Sequence, residues 1–212
     1  MQWLNAVLFT MGNDQVSVAE LLGFVTGAAC VWLTVLARIS NFPVGIANSA
    51  LFLVLFVTAR LYADAGLQVV YIGLGFLGWW QWLHAGVEAD QHRLRVRRAG
   101  PATLLGCLVF VVVGTATLTW LLRRADDVAP FLDALTTALS LAAQYLLNTK
   151  RIENWAFWIV ADIVYIPLYA VKRLDLTAGV YVLFLAMCVT GVLGWRRALR
   201  TATVREPVGE LA

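Results

Sequence analysis

The sequence predicts an all-α integral membrane protein in which seven membrane-spanning helices form two parallel three-helix repeats joined by a linker helix. Three observations lead to this fold: the composition, a series of seven apolar runs, and an internal repeat. Hydrophobic residues make up 61% of the 212 residues and charged residues only 14%. A soluble globular chain holds about 45–50% apolar and about 25% charged residues. The bilayer is therefore expected to be the solvent of this chain.

The same composition argues against a disordered chain, a secreted disulfide scaffold and a nucleic-acid-binding protein. The formal net charge is +3. In a membrane protein a small basic excess reports the loop arginines that set orientation, so it does not predict a nucleic-acid partner.

Seven apolar runs have the length of a membrane-crossing helix, which needs about 20 mostly apolar residues. They occupy residues 18–37, 42–59, 66–85, 101–122, 131–149, 154–171 and 177–195. Short polar segments separate them. Before the first run, residues 1–17 are predicted to be an interfacial segment, because Trp3, Leu4, Val7, Leu8 and Phe9 suit a short helix at the membrane surface.

Orientation follows from the basic residues. The N-terminus and the loops after helices 2, 4 and 6 hold five of the sixteen Lys and Arg residues, and the other loops with the C-terminal tail hold eleven. The positive-inside rule places the second set in the cytoplasm. We therefore expect an external N-terminus and a cytoplasmic basic tail over residues 196–212.

The chain also matches itself. Arg38-Ile-Ser-Asn41 recurs 113 residues later as Arg151-Ile-Glu-Asn154, and further short matches follow in the same order through helices 3 and 7. This predicts a first repeat over 18–85, a cytoplasmic loop and linker helix over 86–130, and a second repeat over 131–195. A four-helix offset keeps both copies in the same direction, an arrangement that transporters use. Duplication also builds membrane proteins that transport nothing, and that alternative stays open.

Asp162 is the one ionisable residue deep within a span. It lies about 12 Å into helix 6, where an aspartate costs about 2.5–3.5 kcal/mol to insert. A substrate contact, a helix-packing hydrogen bond and a protonated carboxyl each account for such a residue. Asn48 lies seven residues after Asn41, and Asp162 lies eight residues after the equivalent Asn154. The repeats are therefore predicted to present paired polar groups across their axis.

Aromatic residues are the second signal for a site. Trp155 and Trp158 share a face of helix 6 with Asp162, and Tyr181 adds a hydroxyl-bearing ring nearby. Such rings beside a carboxylate suit a flat or cationic ligand, although helix packing explains them as well. The other tryptophans at helix ends are predicted to form the interfacial belt, namely Trp79, Trp80, Trp82, Trp120 and Trp195.

Helix 5 carries a polar stripe in which residues recur at every fourth position, formed by Thr136, Ser140, Gln144 and Asn148. Polar side chains facing lipid are unfavourable, so this face is expected to point inward, as contacts between helices or as the wall of a pathway. Gln68 and Tyr71 on helix 3 have the same two interpretations.

No motif in the chain predicts an enzyme, a cofactor or a metal site. There is no HExxH, no GxSxG and no phosphate-binding glycine loop. Cys30, Cys107 and Cys188 stand apart in apolar runs and are interpreted as small buried residues. One deep acid does not provide the series of titratable groups that proton-driven transport requires. Facilitated diffusion is therefore the simplest mechanism.

These residues together resemble the PnuC family of vitamin transporters over about residues 18–197. The resemblance rests on Arg151 to Trp158, on Ile39-Ser-Asn41 with Asn48, on Gln68, and on the closing Gly-Trp of helices 3 and 7. It implies a 3+1+3 fold related to the SWEET transporters, usually a homotrimer, in a bacterial inner membrane. It also implies import of nicotinamide riboside without ion coupling, followed by phosphorylation in the cytoplasm that traps the product.

Carried over to this chain, the resemblance places Asn48, Gln68, Trp155, Trp158 and Asp162 at the substrate. Gly75 and Asp162 stand where many members of the family have asparagine. An anion at 162 suits the pyridinium of nicotinamide riboside or the thiazolium of thiamine, and it suits uncharged riboflavin less. Thiamine or riboflavin transport and a vitamin-binding membrane subunit that transports nothing are the alternatives.

Overall fold

The computed structural model describes residues 7–11, 14–58, 62–84, 96–125, 129–171 and 175–204. Its seven helices confirm the predicted series. The elements, in chain order, are β1 (Val7–Met11), β2 (Asp14–Ser17), α1 (Val18–Val35), α2 (Asn41–Thr58), α3 (Tyr62–His84), α4 (Pro101–Arg124), α5 (Pro130–Asn148), α6 (Asn154–Val171) and α7 (Asp175–Val204). Helix α7 continues past the predicted end at 195, because Arg-Arg-Ala-Leu-Arg favours helix. Three predicted segments lie wholly or partly outside the described residues: residues 1–6 of the N-terminal segment, residues 86–95 of the cytoplasmic loop, and residues 205–212 of the tail.

The predicted surface helix near the N-terminus is wrong for the part that the structure describes. Val7–Met11 and Asp14–Ser17 pair as an antiparallel hairpin, with Phe9 opposite Val16 and Met11 opposite Asp14. Valine, phenylalanine and threonine favour strands, and the Gly-Asn between the strands is a hairpin-turn sequence. Strand propensity and turn chemistry therefore outweigh the helical spacing of the apolar residues.

Six of the helices form a closed ring in the order α1, α2, α3, α5, α6, α7. Each repeat contributes three neighbouring helices, and the repeats meet where α1 packs against α7 and where α3 packs against α5. These two junctions are equivalent, since α1 corresponds to α5 and α7 to α3. The linker helix α4 lies outside the ring and packs on α5.

The turn between the first two helices has the same backbone structure in both repeats. Ala37 and Lys150, 113 positions apart, have φ of 51° and 54° and are the two non-glycine residues with positive φ in the described chain. The amide of Arg38 donates to Leu33 O, and that of Arg151 donates to Leu146 O, again at an offset of 113. Each turn is a Schellman motif, whose left-handed position usually holds glycine. The internal repeat is thus present in the backbone.

Ala37→Gly is expected to stabilise the protein by about 0.5–1 kcal/mol, because glycine adopts a positive φ without steric conflict. Thermal unfolding of the purified protein in detergent measures the gain. Ala29→Gly, in the regular part of α1, is the matched control and should destabilise by a similar amount. If both variants lost stability equally, the left-handed conformation at 37 would be refuted.

Within the described residues, four helices meet length and hydropathy criteria for crossing a membrane: α2, α4, α6 and Leu176–Thr201 within α7. The apolar part of α1 is shorter, Leu21–Val35. Helix α5 carries the polar stripe, and ten of its nineteen residues are buried. It is covered by protein rather than by lipid and needs less apolar character than its neighbours.

Candidate functional site

Asp162 lies halfway along α6, on the side that faces α7. Its side chain is only 4% exposed, and the Cys188 thiol donates to Oδ2 at 3.5 Å. The other oxygen, Oδ1, accepts no hydrogen bond from the described residues. Val160 and Ile163 point outward instead. A buried carboxylate with one uncommitted oxygen is suited to receive a polar or cationic group.

A stack of aromatic rings lies next to this carboxylate, on the side away from the α5–α6 turn. The Tyr165 and Tyr181 rings are 4.5 Å apart between centroids, and Tyr169 stacks on both. Phe184 meets Tyr181 edge to face at 5.7 Å. The stack joins α6 to α7, and Tyr165 and Tyr181 lie close enough to Asp162 to interact with it electrostatically.

Asn48 reaches the same region from α2. Its amide donates to Gly23 O at 2.9 Å and to Thr26 Oγ1 at 2.7 Å, both on α1. A Cβ built on Gly27 would lie 3.5 Å from the Phe184 ring and 3.9 Å from the Asn48 amide nitrogen. Asn48 therefore borders the aromatic stack, and no hydrogen bond among the described residues joins it to Asp162. The presentation of paired polar groups across the axis remains a prediction.

The stripe on α5 divides into two functions. Gln144 donates to Asn148 Oδ1 at 3.0 Å, and Asn148 donates to Leu74 O on α3 at 2.9 Å, so these amides hold the two repeats together. Ser140, one turn before Gln144, lies close to the hydroxyl groups of Tyr71 and Tyr165. Tyr71 thus belongs to the tyrosine cluster, whereas Gln144 belongs to the helix contact. Gln68 lies half-buried one turn before Tyr71.

Trp155 is placed in a packing layer. Its ring is 1% exposed and meets Trp195 edge to face at 5.5 Å. Gly191 leaves the space that the ring fills, since a Cβ there would lie 2.5 Å from Trp155 Cζ2. Trp158 is half-buried and packs against the same layer. Its position between that layer and Asp162 is compatible with the predicted substrate contact.

This layer closes one end of the ring. It contains residues from all six ring helices, among them Phe42, Trp82, Leu147, Trp155 and Trp195. We call it the aromatic seal. Asp162 is seven residues from Trp155, about 10 Å along the helix axis. The seal thus separates Asp162 and the tyrosines from the end that holds the α1–α2 and α5–α6 turns.

The assignment of Trp82 and Trp195 to the interfacial belt is wrong. Both are buried, and each indole donates across the repeat junction, Trp82 to Asn148 O at 3.0 Å and Trp195 to Thr34 O at 3.2 Å. Each indole thus adds a hydrogen bond to a carbonyl near a helix end in the other repeat. Trp80 and Trp120 are more than half exposed, as a belt requires.

Sequence reasoning missed Cys188 and Phe184. A cysteine in an apolar run is usually a small packing residue, and only the packing of α7 on α6 shows its thiol on the carboxylate. A signal was available, however. Tyr181, Phe184, Cys188 and Trp195 follow one another at spacings of three, four and seven on α7, which puts them on one face.

Comparison with known proteins gives the same fold and a functional class. A family model described as "Nicotinamide mononucleotide transporter" matches residues 17–197. The nicotinamide riboside transporter PnuC of Neisseria mucosa is 29% identical, covering 93% of this chain and 78% of the relative. The riboflavin/roseoflavin transporter RibM of Streptomyces davaonensis is 25% identical, covering 92% of each.

A solved structure agrees with the arrangement of helices. The crystal structure of the vitamin B3 transporter PnuC superposes with a TM-score of 0.69 at 27% identity, covering 87% of this chain and 82% of that one. The relatives and this structure are transporters rather than enzymes. With the match over residues 17–197 and a ring of six helices with α4 packed outside it, the chain belongs to the nicotinamide mononucleotide transporter family of multi-pass membrane proteins, in which it resembles the PnuC transporters.

Proposed function

We propose that this protein imports nicotinamide riboside by facilitated diffusion. The observation that carries the proposal is Asp162, a deep carboxylate with one uncommitted oxygen beside a stack of tyrosine rings. Nicotinamide riboside has a flat cationic pyridinium and a hydroxyl-rich ribose. The cation complements the carboxylate, the ring suits stacking, and the ribose suits tyrosine hydroxyls and the Asn48 amide.

The charges in the spans favour the riboside over its phosphate ester. The seven apolar runs contain no Lys or Arg. A phosphate group at the level of Asp162 would therefore meet a carboxylate and no basic side chain from these runs, which is unfavourable in a low-dielectric interior. We infer that the substrate enters without a phosphate, although the family's descriptive name is that of the mononucleotide.

Two related vitamins are alternative substrates. Thiamine carries a thiazolium cation that Asp162 also suits, and a relative of similar coverage is named as a riboflavin/roseoflavin transporter. Uncharged riboflavin would gain less from the carboxylate. A subunit that binds a vitamin without moving it is less well supported, since the relatives are named as transporters.

Passive transport is supported by the scarcity of deep titratable groups. Asp162 is the single carboxylate in the middle of a span, which does not supply a proton relay. Net uptake would then depend on phosphorylation of the riboside in the cytoplasm. Eleven of the sixteen basic residues lie on the side of the α1–α2 and α5–α6 turns, and the positive-inside rule would make this side, with the aromatic seal, cytoplasmic.

We further propose a bacterial inner-membrane location, an external N-terminus, a cytoplasmic C-terminus and a homotrimer.

Counterflow in proteoliposomes tests the function. Vesicles preloaded with unlabelled nicotinamide riboside should accumulate the labelled riboside without any ion gradient. Thiamine and riboflavin in the outer solution show, by competition, which vitamin is preferred, and nicotinamide mononucleotide should compete poorly. Absence of exchange by a protein that still binds the riboside would indicate a binding subunit, and a requirement for a proton gradient would refute facilitated diffusion.

A further inference from the structure

A groove lies between α4 and α5 on the outside of the ring, away from Asp162. Its cavity volume is about 550 Å³, within the range of about 300–1,000 Å³ that small-molecule sites occupy. Val112 and Phe131, on its walls, are 69% and 54% exposed on the outside of the chain. The groove therefore opens toward the surroundings of the helix ring, which in a membrane are lipid.

One wall carries a polar stripe on an otherwise apolar helix. Thr115, Thr119 and Arg123 follow one another at four-residue spacing on α4 and all line the groove. Thr115 is only 7% exposed, and neither threonine hydroxyl has a hydrogen-bond partner among the described residues. Threonine within a helix commonly bonds to the carbonyl four residues earlier. These two hydroxyls do not, and they need a polar partner.

The stripe ends in two guanidinium groups. Arg123 and Arg124 line the groove at the C-terminal end of α4, and Arg124 lies 3.7 Å over the Trp120 ring. In the described part of the chain no salt bridge engages either arginine. Tryptophan with arginine at a helix end is typical of the membrane–water interface, where lipid headgroups lie.

The order of chemistry along the groove matches that of a phospholipid. Apolar side chains come first, at Val111 and Val112; hydroxyls follow at Thr115 and Thr119, and the arginines come last. Eleven residues separate Val112 from Arg123, about 16 Å of helix. Half of the bilayer's hydrocarbon core is about 15 Å thick. The groove therefore spans one leaflet, from the middle of the membrane to its interface.

We propose that the α4–α5 groove binds an anionic phospholipid. One acyl chain lies against Val112, Leu135 and Phe131, an ester oxygen accepts from the threonine hydroxyls, and the phosphodiester lies between Arg123 and Arg124. The lipid would fill the space beside the linker helix and fix α4 on α5. This site is separate from the proposed vitamin site and does not depend on it.

Binding of phosphatidylglycerol to delipidated protein tests the proposal, with phosphatidylcholine of the same acyl chains for comparison. Phosphatidylglycerol should raise the unfolding temperature more than phosphatidylcholine does, because a ligand of the native state stabilises it. Arg123→Gln should weaken the apparent affinity for phosphatidylglycerol about fivefold, the effect of one arginine near an anionic surface. Arg196→Gln, at the other end of the bundle, removes an equal charge and should change little.

Ala116→Phe fills the groove without altering charge, and it should abolish the difference between the two lipids. Equal stabilisation by both lipids in the wild type would overturn the proposal, as would equal effects of Arg123→Gln and Arg196→Gln. A second copy of the chain is the other possible occupant. If Ala116→Phe or Arg123→Gln dissociated the oligomer while lipid binding stayed the same, the groove would be a subunit contact and the proposal would be wrong.

Discussion

Asp162→Asn should weaken the binding of nicotinamide riboside by about one to two orders of magnitude and leave the binding of its neutral, ring-reduced form nearly unchanged. The substitution keeps the size of the side chain and an oxygen that can accept from Cys188, but it removes the negative charge. A buried interaction with a charged group contributes about 1.5–3 kcal/mol, which is about 10–150-fold in affinity. The reduced ring has no charge and cannot lose this contribution. Calorimetry or fluorescence quenching with the purified protein measures both constants.

Two comparisons make the result specific. Glu153→Gln removes a carboxylate at the end of the bundle, where Glu153 accepts from the Ala99 amide at 2.8 Å, and it should leave the preference for the cation unchanged. Unfolding temperatures show whether each variant is intact. If Asp162→Asn weakened both ligands equally, Asp162 would support the helix packing, and its role at the cation would be refuted.

The fold could be predicted because its signals are local or periodic. Apolar runs of spanning length and the repeat at an offset of 113 determine seven helices and their pairing. The backbone confirms the repeat at Ala37 and Lys150, where the residue types themselves gave no sign of a left-handed conformation. The sequence did not predict the hairpin of β1 and β2, because its apolar residues have helical spacing while strand propensity and turn chemistry determine the structure.

The site could be predicted only in part. Asp162 was found because an ion deep in a span is unfavourable anywhere except at a partner or a cavity. Its contact with Cys188, and the burial of Trp82 and Trp195, depend on which helix faces which, and that is set by packing between distant segments. A tryptophan near a helix end looks the same in the sequence whether it lies at the membrane interface or in the aromatic seal. The substrate contacts of Gln68, Trp155, Trp158 and Tyr181 remain predictions.

Gly78→Ala should destabilise the protein strongly, because Gly78 lies where α3 crosses both α2 and α5. An added Cβ would overlap the Phe42 ring and lie 2.6 Å from Asn148 Cγ. Both neighbours are fixed: Phe42 packs edge to face on Trp82 at 5.0 Å, and Asn148 donates to Leu74 O. Overpacking of this kind costs about 1–3 kcal/mol, or about 2–12 °C in unfolding temperature for a chain of this size.

The repeat supplies the matched control for this prediction. Gly194 is the equivalent position on α7, and a Cβ there would have its nearest neighbour, Val35 O, at 3.8 Å, which is ordinary contact. Gly194→Ala should therefore be neutral or slightly stabilising, since alanine favours helix over glycine by about 0.5–1 kcal/mol. Thermal unfolding in detergent compares the two variants directly. Equal losses of stability from both variants would mean that the close approach at Gly78 does not hold the repeats together. A loss from Gly78→Ala alone would show that the tightly packed junction between the repeats is the one between α3 and α5.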